Sequence, residues 1–323
     1  MVDEALLKRY SLPLLLGLAS ALLYGTVVLM PMFLVPIQFA GARKGFKAML
    51  MAGASSAIIT IVWQTVALMR AGLVSSSTLA IGVSAPLAML LALLAMALPR
   101  LASLSFVIRA LLAGGLATAL SMPSIFVALE DPNVRIMFLE AFEKAGSAIG
   151  TVAIDPETLW SALKVGVASS FGAVLFVLLF FSSWFGTRLG THARGFAPLP
   201  GDAPSLPPVL SSYHVPEYMV WVLFAAWGAL LLNRFFPSFV LSAVALNAAL
   251  ALSICYGLQG LAVLRALAER VGMAPALRIL LPLSLILLLA SGVAGLIALG
   301  ILALLGTLET WIPFRAVTKG DTP

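Results

Sequence analysis

Long apolar runs recur along almost the whole chain, and they constrain its fold more than any other feature. Such segments lie at about residues 11 to 40, 48 to 69, 77 to 98, 104 to 128, 158 to 184, 218 to 232, 236 to 264 and 279 to 312. A run of roughly 18 or more apolar residues is long enough to cross a bilayer as a helix. The sequence therefore predicts an all-α fold, a polytopic transmembrane helical bundle that forms a single integral membrane domain over residues 1 to 323.

The composition agrees with this class of protein. Of the 323 residues, 62% are hydrophobic and 10% are charged, whereas a soluble domain is about half apolar and about a quarter charged. The net charge of +6 is explained by basic residues in short loops, because these residues set the topology of membrane proteins. We therefore expect contact with membrane lipid and no binding of nucleic acid.

The first and last apolar segments are too long for one untilted helix and short for two. Pro31 and Pro36 interrupt the first segment, because proline removes a helical hydrogen bond and clashes with the preceding turn. We expect residues 11 to 40 to cross twice, as a helix and a short or half-penetrating return. Whether residues 279 to 312 cross once or twice is the same question. The sequence thus predicts eight to ten membrane segments, including broken or short helices at the two ends.

Lysine and arginine residues set the expected orientation. If the turn at residues 41 to 47 is cytoplasmic, alternation of the segments brings most basic loops to the same side, as the positive-inside rule requires. The first helix reads as an uncleaved membrane helix. We therefore predict a multi-pass protein with its N-terminus in the cytoplasm.

Two loops are long enough to have structure of their own. The outer loop, residues 129 to 157, contains the amphipathic pattern VRIMFLEAFEKAG, which predicts a helix on the membrane or over a cavity. It ends in a helix start signal, with Asp155 as the cap and Pro156 at the first helical position. The inner loop, residues 186 to 216, is rich in proline and predicts an extended cytoplasmic connection.

Catalytic motifs are missing from the sequence. It contains no G-x-S-x-G nucleophile elbow, no G-x-x-x-x-G-K-[ST] phosphate loop and no H-E-x-x-H zinc pair. Since no nucleophile is paired with a positioned base, we expect that the protein is not an enzyme, and we predict no catalytic residue, no cofactor and no metal site.

Polar side chains inside the apolar segments are the candidates for a functional site, because they are costly in the membrane and usually face protein or water. The candidates for ligand contact or for bridging between helices are Gln38, Arg43, Gln64, Asn247, Tyr256 and Gln259. Hydrogen bonds between helices account for such residues as well as a ligand does, so both interpretations stay open. For Gln259 we predict a hydrogen bond to the early hairpin, whose prolines leave backbone carbonyls in need of donors.

Small residues recur on one face of the first helix. Gly17, Ala21 and Gly25 are spaced by four residues, which lets two helix backbones approach closely. This pattern fits packing inside the protein, and it also fits docking of a partner membrane protein. The three residues are therefore a candidate partner-docking face.

Several stretches resemble the YybS-like bacterial integral membrane proteins, a domain of unknown function. They are PMFLVPIQFAGARKG early in the chain, YHVPEYMVW at the start of the apolar segment at residues 218 to 232, and YGLQGLAVLRALAERVG with LGTLETWIPFR near the end. That family is distantly similar to the substrate-binding S-components of energy-coupling-factor vitamin transporters, through the proline-containing hairpin and the turn after it. The resemblance implies the bacterial cytoplasmic (inner) membrane and a helical, ligand-binding core that docks on another transport subunit.

Two functions follow as hypotheses. The first is a transport-related membrane subunit that binds a small-molecule ligand beneath the outer amphipathic segment. The alternative is a non-catalytic membrane scaffold or assembly factor that acts through partner proteins, using small-residue helix faces and the proline-rich loop. A lipid-modifying enzyme is the third and weakest interpretation, because solvated charge explains the carboxylates of the outer loop.

Overall fold

The structure, a computed structural model, describes residues 4–26, 28–72, 76–149, 155–195, 206–270 and 293–315. These residues form helices and connections, with no strand among them. The helices are α1 (Glu4–Gly25), α2 (Val35–Lys44), α3 (Phe46–Ala71), α4 (Ser76–Met96), α5 (Phe106–Leu129), α6 (Pro132–Ile149), α7 (Pro156–His192), α8 (Met219–Leu232), α9 (Phe239–Arg270) and α10 (Val293–Leu308). Single turns of 3₁₀ helix lie at Met30–Met32, Pro99–Leu101 and Leu210–Ser212.

Many of these helices have the length and apolar composition of membrane-spanning segments. In the described part of the chain, α3, α4, α5, α7 and α9 are long and apolar enough to cross a bilayer. Shorter apolar helices lie at Ser11–Gly25, Met219–Leu232 and Ala294–Leu308. Large apolar side chains are exposed on these helices, including Leu231 and Leu296, which suits contact with lipid. The predicted all-α helical membrane bundle is therefore confirmed.

The chain divides into two compact units, Met1–Pro207 and Pro208–Pro323. In the first unit α1 packs on α3, α2 packs on α7 and α3, and α5 packs on α4 and α7. In the second unit α9 packs on both α8 and α10. The boundary falls within the proline-rich stretch of the chain. That the whole chain is one integral membrane domain stays a prediction.

The prolines break the first apolar segment as predicted. Helix α1 ends at Gly25, a 3₁₀ turn containing Pro31 follows, and α2 starts at Val35 with Pro36 in its first turn. Helix α2 has 10 residues and is about 15 Å long, about half the thickness of the hydrocarbon core. It is a short helix buried within the first unit. Gly45, with φ of 92°, separates it from α3 in a conformation that favours glycine.

The structure corrects the predicted start of the inner loop. The sequence placed the extended connection at residues 186 to 216, but α7 remains helical through His192. The glycines of this stretch, Gly186 and Gly190, pack against α2, and this tertiary contact outweighs their low helix propensity. Residues 206–218 do form an irregular connection with one 3₁₀ turn, whereas residues 196–205 lie outside the described part.

Residues 129 to 157 contain the predicted helix and the predicted cap. Helix α6 covers the amphipathic pattern, and its Phe138 ring lies 5.8 Å from the Trp160 ring of α7. The Asp155 carboxylate accepts a hydrogen bond from the Thr158 amide at 2.9 Å and caps α7. Hydrogen bonds from Thr158 lower the pKa of Asp155 below its ordinary value. Within residues 279 to 312, the structure describes α10, while residues 279–292 lie outside its description.

Candidate functional site

A buried hydrogen bond joins the short helix α2 to α7 in the first unit. Gln38 of α2 is 4% exposed, and its Nε2 donates to Thr187 Oγ1 at 3.0 Å. One and a half turns earlier on α7, the Ser182 hydroxyl donates to the carbonyl of Pro31 at 3.3 Å. The carbonyl of Pro31, in the break between α1 and α2, thus takes its donor from a serine of α7. The Gln38 Oε1 atom is buried and has no hydrogen-bond partner among the described residues.

Two glycines let α7 approach α2 closely. A Cβ added at Gly186 would lie 2.8 Å from both the Gln38 Cβ and the Val35 carbonyl oxygen. One added at Gly190 would lie 2.7 Å from the Ala42 Cβ. Real Cβ atoms do not come this close, so both positions require glycine. The spacing of four residues is the pattern that brings helix backbones together.

Arg43 and Gln64 lie apart from the Gln38–Thr187 contact. Arg43 is exposed at the end of α2, and its guanidinium lies 5.9 Å from the centre of the Phe39 ring of the same helix. Gln64 of α3 is half-buried and faces Gly82 of α4, where an added Cβ would lie 3.4 Å from its Oε1. The structure therefore does not bring these candidates together into one site.

The small-residue face of α1 packs inside the chain. A Cβ at Gly17 would overlap the Ser55 side chain of α3, and Ser20 and Ser56 share a buried hydrogen bond of 2.9 Å. Ala21 is buried, and Gly25 lies beside Trp63. Helix α3 therefore occupies the face formed by Gly17, Ala21 and Gly25. Docking of a partner would need an open face, which these contacts do not leave.

Gln259 forms the buried joint of the second unit. Its Oε1 accepts from the Val215 amide at 2.6 Å, and its Nε2 donates to the Gly306 carbonyl at 2.9 Å. Gly306 lies in the last turn of α10, where carbonyls lack a helical partner. Gln259 thus caps α10 and holds the connection before α8. The predicted hydrogen bond to the early hairpin is wrong, because the Val215 amide and the Gly306 carbonyl are the partners of the Gln259 side chain.

The backbones of α9 and α10 touch beside this glutamine. A Cβ at Gly260 would overlap the carbonyl oxygen of Leu302, and one at Gly306 would overlap that of Tyr256. Glycine is therefore required on both helices at this crossing. Because the two backbones are in contact here, the side chain of Gln259 on α9 is close enough to donate to the Gly306 carbonyl of α10.

Arg315 attaches the connection to the end of α10. We call residues 206–218 the strap. The Nη1 atom of Arg315 donates to the carbonyls of Ser211 at 3.0 Å and Tyr213 at 2.9 Å, while its Nε bonds to the Glu309 carboxylate. Tyr213 of the strap is fully buried, and burial raises the pKa of its hydroxyl well above the ordinary value. The strap is thus fixed to the helices by Gln259 and Arg315.

The remaining candidates lie on α9. The Asn247 Nδ2 atom donates to the Ala243 carbonyl of its own helix at 2.8 Å. Tyr256 is fully buried, and its hydroxyl has no hydrogen-bond partner in the part of the chain that the structure describes. Sequence reasoning did not single out Thr187, Val215 or Arg315 as partners. The small-residue spacing of α7 was the available signal for the first, whereas a backbone amide such as that of Val215 gives no signal at all.

Chemically, most of these polar groups join helices to one another or to the strap. No group of three or more histidine, cysteine, aspartate or glutamate side chains that could hold a metal ion occurs among the described residues. Apolar spans with buried polar joints between them define a helical integral membrane protein.

Comparison with known families places part of the chain within that class. Residues 199–304 match the model of a family described as "Predicted membrane protein (DUF2232)". The match includes the strap, α8, α9 and most of α10, and it ends two residues before Gly306. No curated protein and no solved structure matches the chain.

Proposed function

We propose that the protein is a non-catalytic, transport-related membrane subunit that binds a small molecule at the short helix α2. The observation that carries this proposal is the buried Gln38 Oε1, which lacks a hydrogen-bond partner among the described residues. Short, interrupted helices deep in a membrane protein are typical of substrate sites in transporters. A buried carbonyl oxygen without a donor is rare in folded proteins, and a ligand N–H or O–H would satisfy it.

The chemistry of the site limits the ligand class. A carboxamide oxygen accepts hydrogen bonds and carries no charge, so it selects a neutral or cationic molecule with an N–H or O–H donor. Vitamins, nucleobases and amino acids supply such donors. The resemblance to YybS-like proteins, and through them to transporter S-components, supports this ligand class and an assembly with another transport subunit in the bacterial inner membrane.

A thermal-shift screen of the detergent-solubilised protein tests the proposal. We expect one class among vitamins, nucleobases and amino acids to raise the unfolding temperature of the wild type and of Gln64→Met. The same ligand should give no rise with Gln38→Met, which removes the carbonyl. Thr187→Val is a second control, because it removes only the acceptor of Nε2 and should preserve the rise. Stabilisation by none of these compounds would contradict the proposal.

A non-catalytic scaffold is the second candidate, and the strap favours it. Gln259 and Arg315 fix its inner side, while Leu206 and Val209 are 51% and 53% exposed. A firmly held segment that presents apolar side chains suits a partner membrane protein or transport subunit, since exposed apolar patches mark interaction sites. Crosslinking in native membranes should recover a partner that Leu206→Ser with Val209→Ser releases. Recovery of the protein alone, with the wild-type strap, would contradict this function.

A further inference from the structure

Arg109 is a buried cation at the start of α5. It is the fourth residue of the helix and is 5% exposed. Its Nε atom is buried without a hydrogen-bond partner in the described ranges, and no ion pair of the described residues includes it. A snorkelling arginine keeps its charged head in water, and this burial does not fit that behaviour.

The position of Arg109 makes its burial more costly. The start of a helix has a partial positive charge, and the first turn of α5 contains no acidic residue. Side chains of a helix lean towards its N-terminus, which brings a residue of the first turns closer to this positive end. A desolvated cation at such a place requires an anion to balance it.

The first turn of α5 also offers backbone donors. Ser105 Oγ accepts from the Ile108 amide at 3.3 Å, and the Ser105 carbonyl accepts from the Arg109 amide at 3.1 Å. The amides of Phe106 and Val107 make no hydrogen bond among the described residues. Two free amides and a guanidinium group therefore lie at one helix start.

We propose that the start of α5 binds a phosphate group through Arg109 and the amides of Phe106 and Val107. Helix starts are natural phosphate sites, and a guanidinium group fits two phosphate oxygens at once. Exposed Ala102 and Ser103 precede the helix, so the first turn is reachable from outside. The phosphate belongs either to the headgroup of an anionic phospholipid or to a soluble phosphate compound, since both present the same oxygens.

The first experiment uses inorganic phosphate with the protein in neutral detergent. Phosphate should raise the unfolding temperature above that in chloride of equal ionic strength, and it should do so for wild type and for Arg100→Gln. Arg100 is an exposed arginine of the preceding 3₁₀ turn, so this control loses the same charge nearby. Arg109→Gln should bind phosphate about tenfold to hundredfold more weakly, as loss of a charge-assisted hydrogen bond predicts.

The second experiment uses vesicles and identifies the source of the phosphate. Stabilisation in phosphatidylglycerol vesicles over phosphatidylcholine vesicles, with no effect of inorganic phosphate, assigns the site to an anionic lipid headgroup. Stabilisation by inorganic phosphate assigns it to a soluble phosphate compound. If Arg109→Gln does not fold, phosphorus NMR of the ligand with wild-type protein measures binding directly. Absence of both effects in the wild type, or an equal loss in Arg100→Gln, would overturn the proposal.

Discussion

Replacing Gln259 by methionine tests the buried joint of the second unit. Methionine has a similar length and fills a similar volume, so the change removes two hydrogen bonds without opening a large cavity. The Val215 amide loses its acceptor, and the Gly306 carbonyl loses its donor. Both groups then remain buried with no partner from position 259.

Two estimates of the resulting loss in the free energy of unfolding differ. A buried backbone group left without a partner costs about 1 to 3 kcal/mol, which gives about 2 to 6 kcal/mol for the two. Hydrogen bonds between membrane helices average about 0.6 kcal/mol each, which gives about 1 kcal/mol. The low value arises because unfolded membrane helices find other partners. Val215 lies in the strap outside the helices, so we expect a loss of about 2 to 4 kcal/mol.

The assay is reversible unfolding in mixed micelles of mild detergent and SDS, followed by circular dichroism. Gln64→Met is the matched control, because Gln64 is half-buried and makes no hydrogen bond within the described residues. The control should unfold within about 0.5 kcal/mol of wild type. A loss below about 1 kcal/mol for Gln259→Met, or an equal loss for the control, would refute this account of the joint.

Three further predictions concern the helix crossing, the strap and the cap of α7. Gly306→Ala should separate α9 from α10 and lower the unfolding temperature sharply, whereas Gly300→Ala, where an added Cβ meets nothing within 4 Å, should be neutral or stabilising. Arg315→Gln should speed amide hydrogen exchange in the strap; Arg265→Gln breaks only an exposed ion pair, and an equal effect there would contradict the attachment. The pKa of Asp155 is lowered in the folded protein, so the stability from its charge is present above about pH 4 and is lost as pH falls through the folded-state pKa. The advantage in unfolding temperature of wild type over Asp155→Asn should therefore shrink between pH 6 and pH 3, and a constant difference would argue against a charged cap.

The apolar runs and the local signals of the sequence were good guides to the helices. The break at Pro31 and Pro36, the amphipathic helix before residue 150 and the Asp155 cap all depend on neighbouring residues, and each has a physical rule that operates locally. The end of α7 was misjudged because its glycines look like loop residues in the sequence. Their role depends on α2, which precedes them by about 150 residues.

The candidate site was harder to predict for the same reason. Polar residues in apolar segments could be recognised, but their partners could not. Gln259 bonds to a backbone amide and a backbone carbonyl, and every residue of the chain except proline carries both groups. The sequence therefore indicated that Gln259 needs partners, while only the packing of α9 on α10 determines which ones it has.

The attachment of the strap by Arg315 determines when the second unit can assemble during synthesis at the membrane. The strap leaves the ribosome about 100 residues before Arg315, a delay on the order of 5 to 20 s at ordinary elongation rates. Gln259 is made during that interval, whereas the carbonyl of Gly306 and the guanidinium of Arg315 are made only at its end. The second unit can therefore close only when the end of α10 has been inserted, and α10 acts as the completion step of assembly.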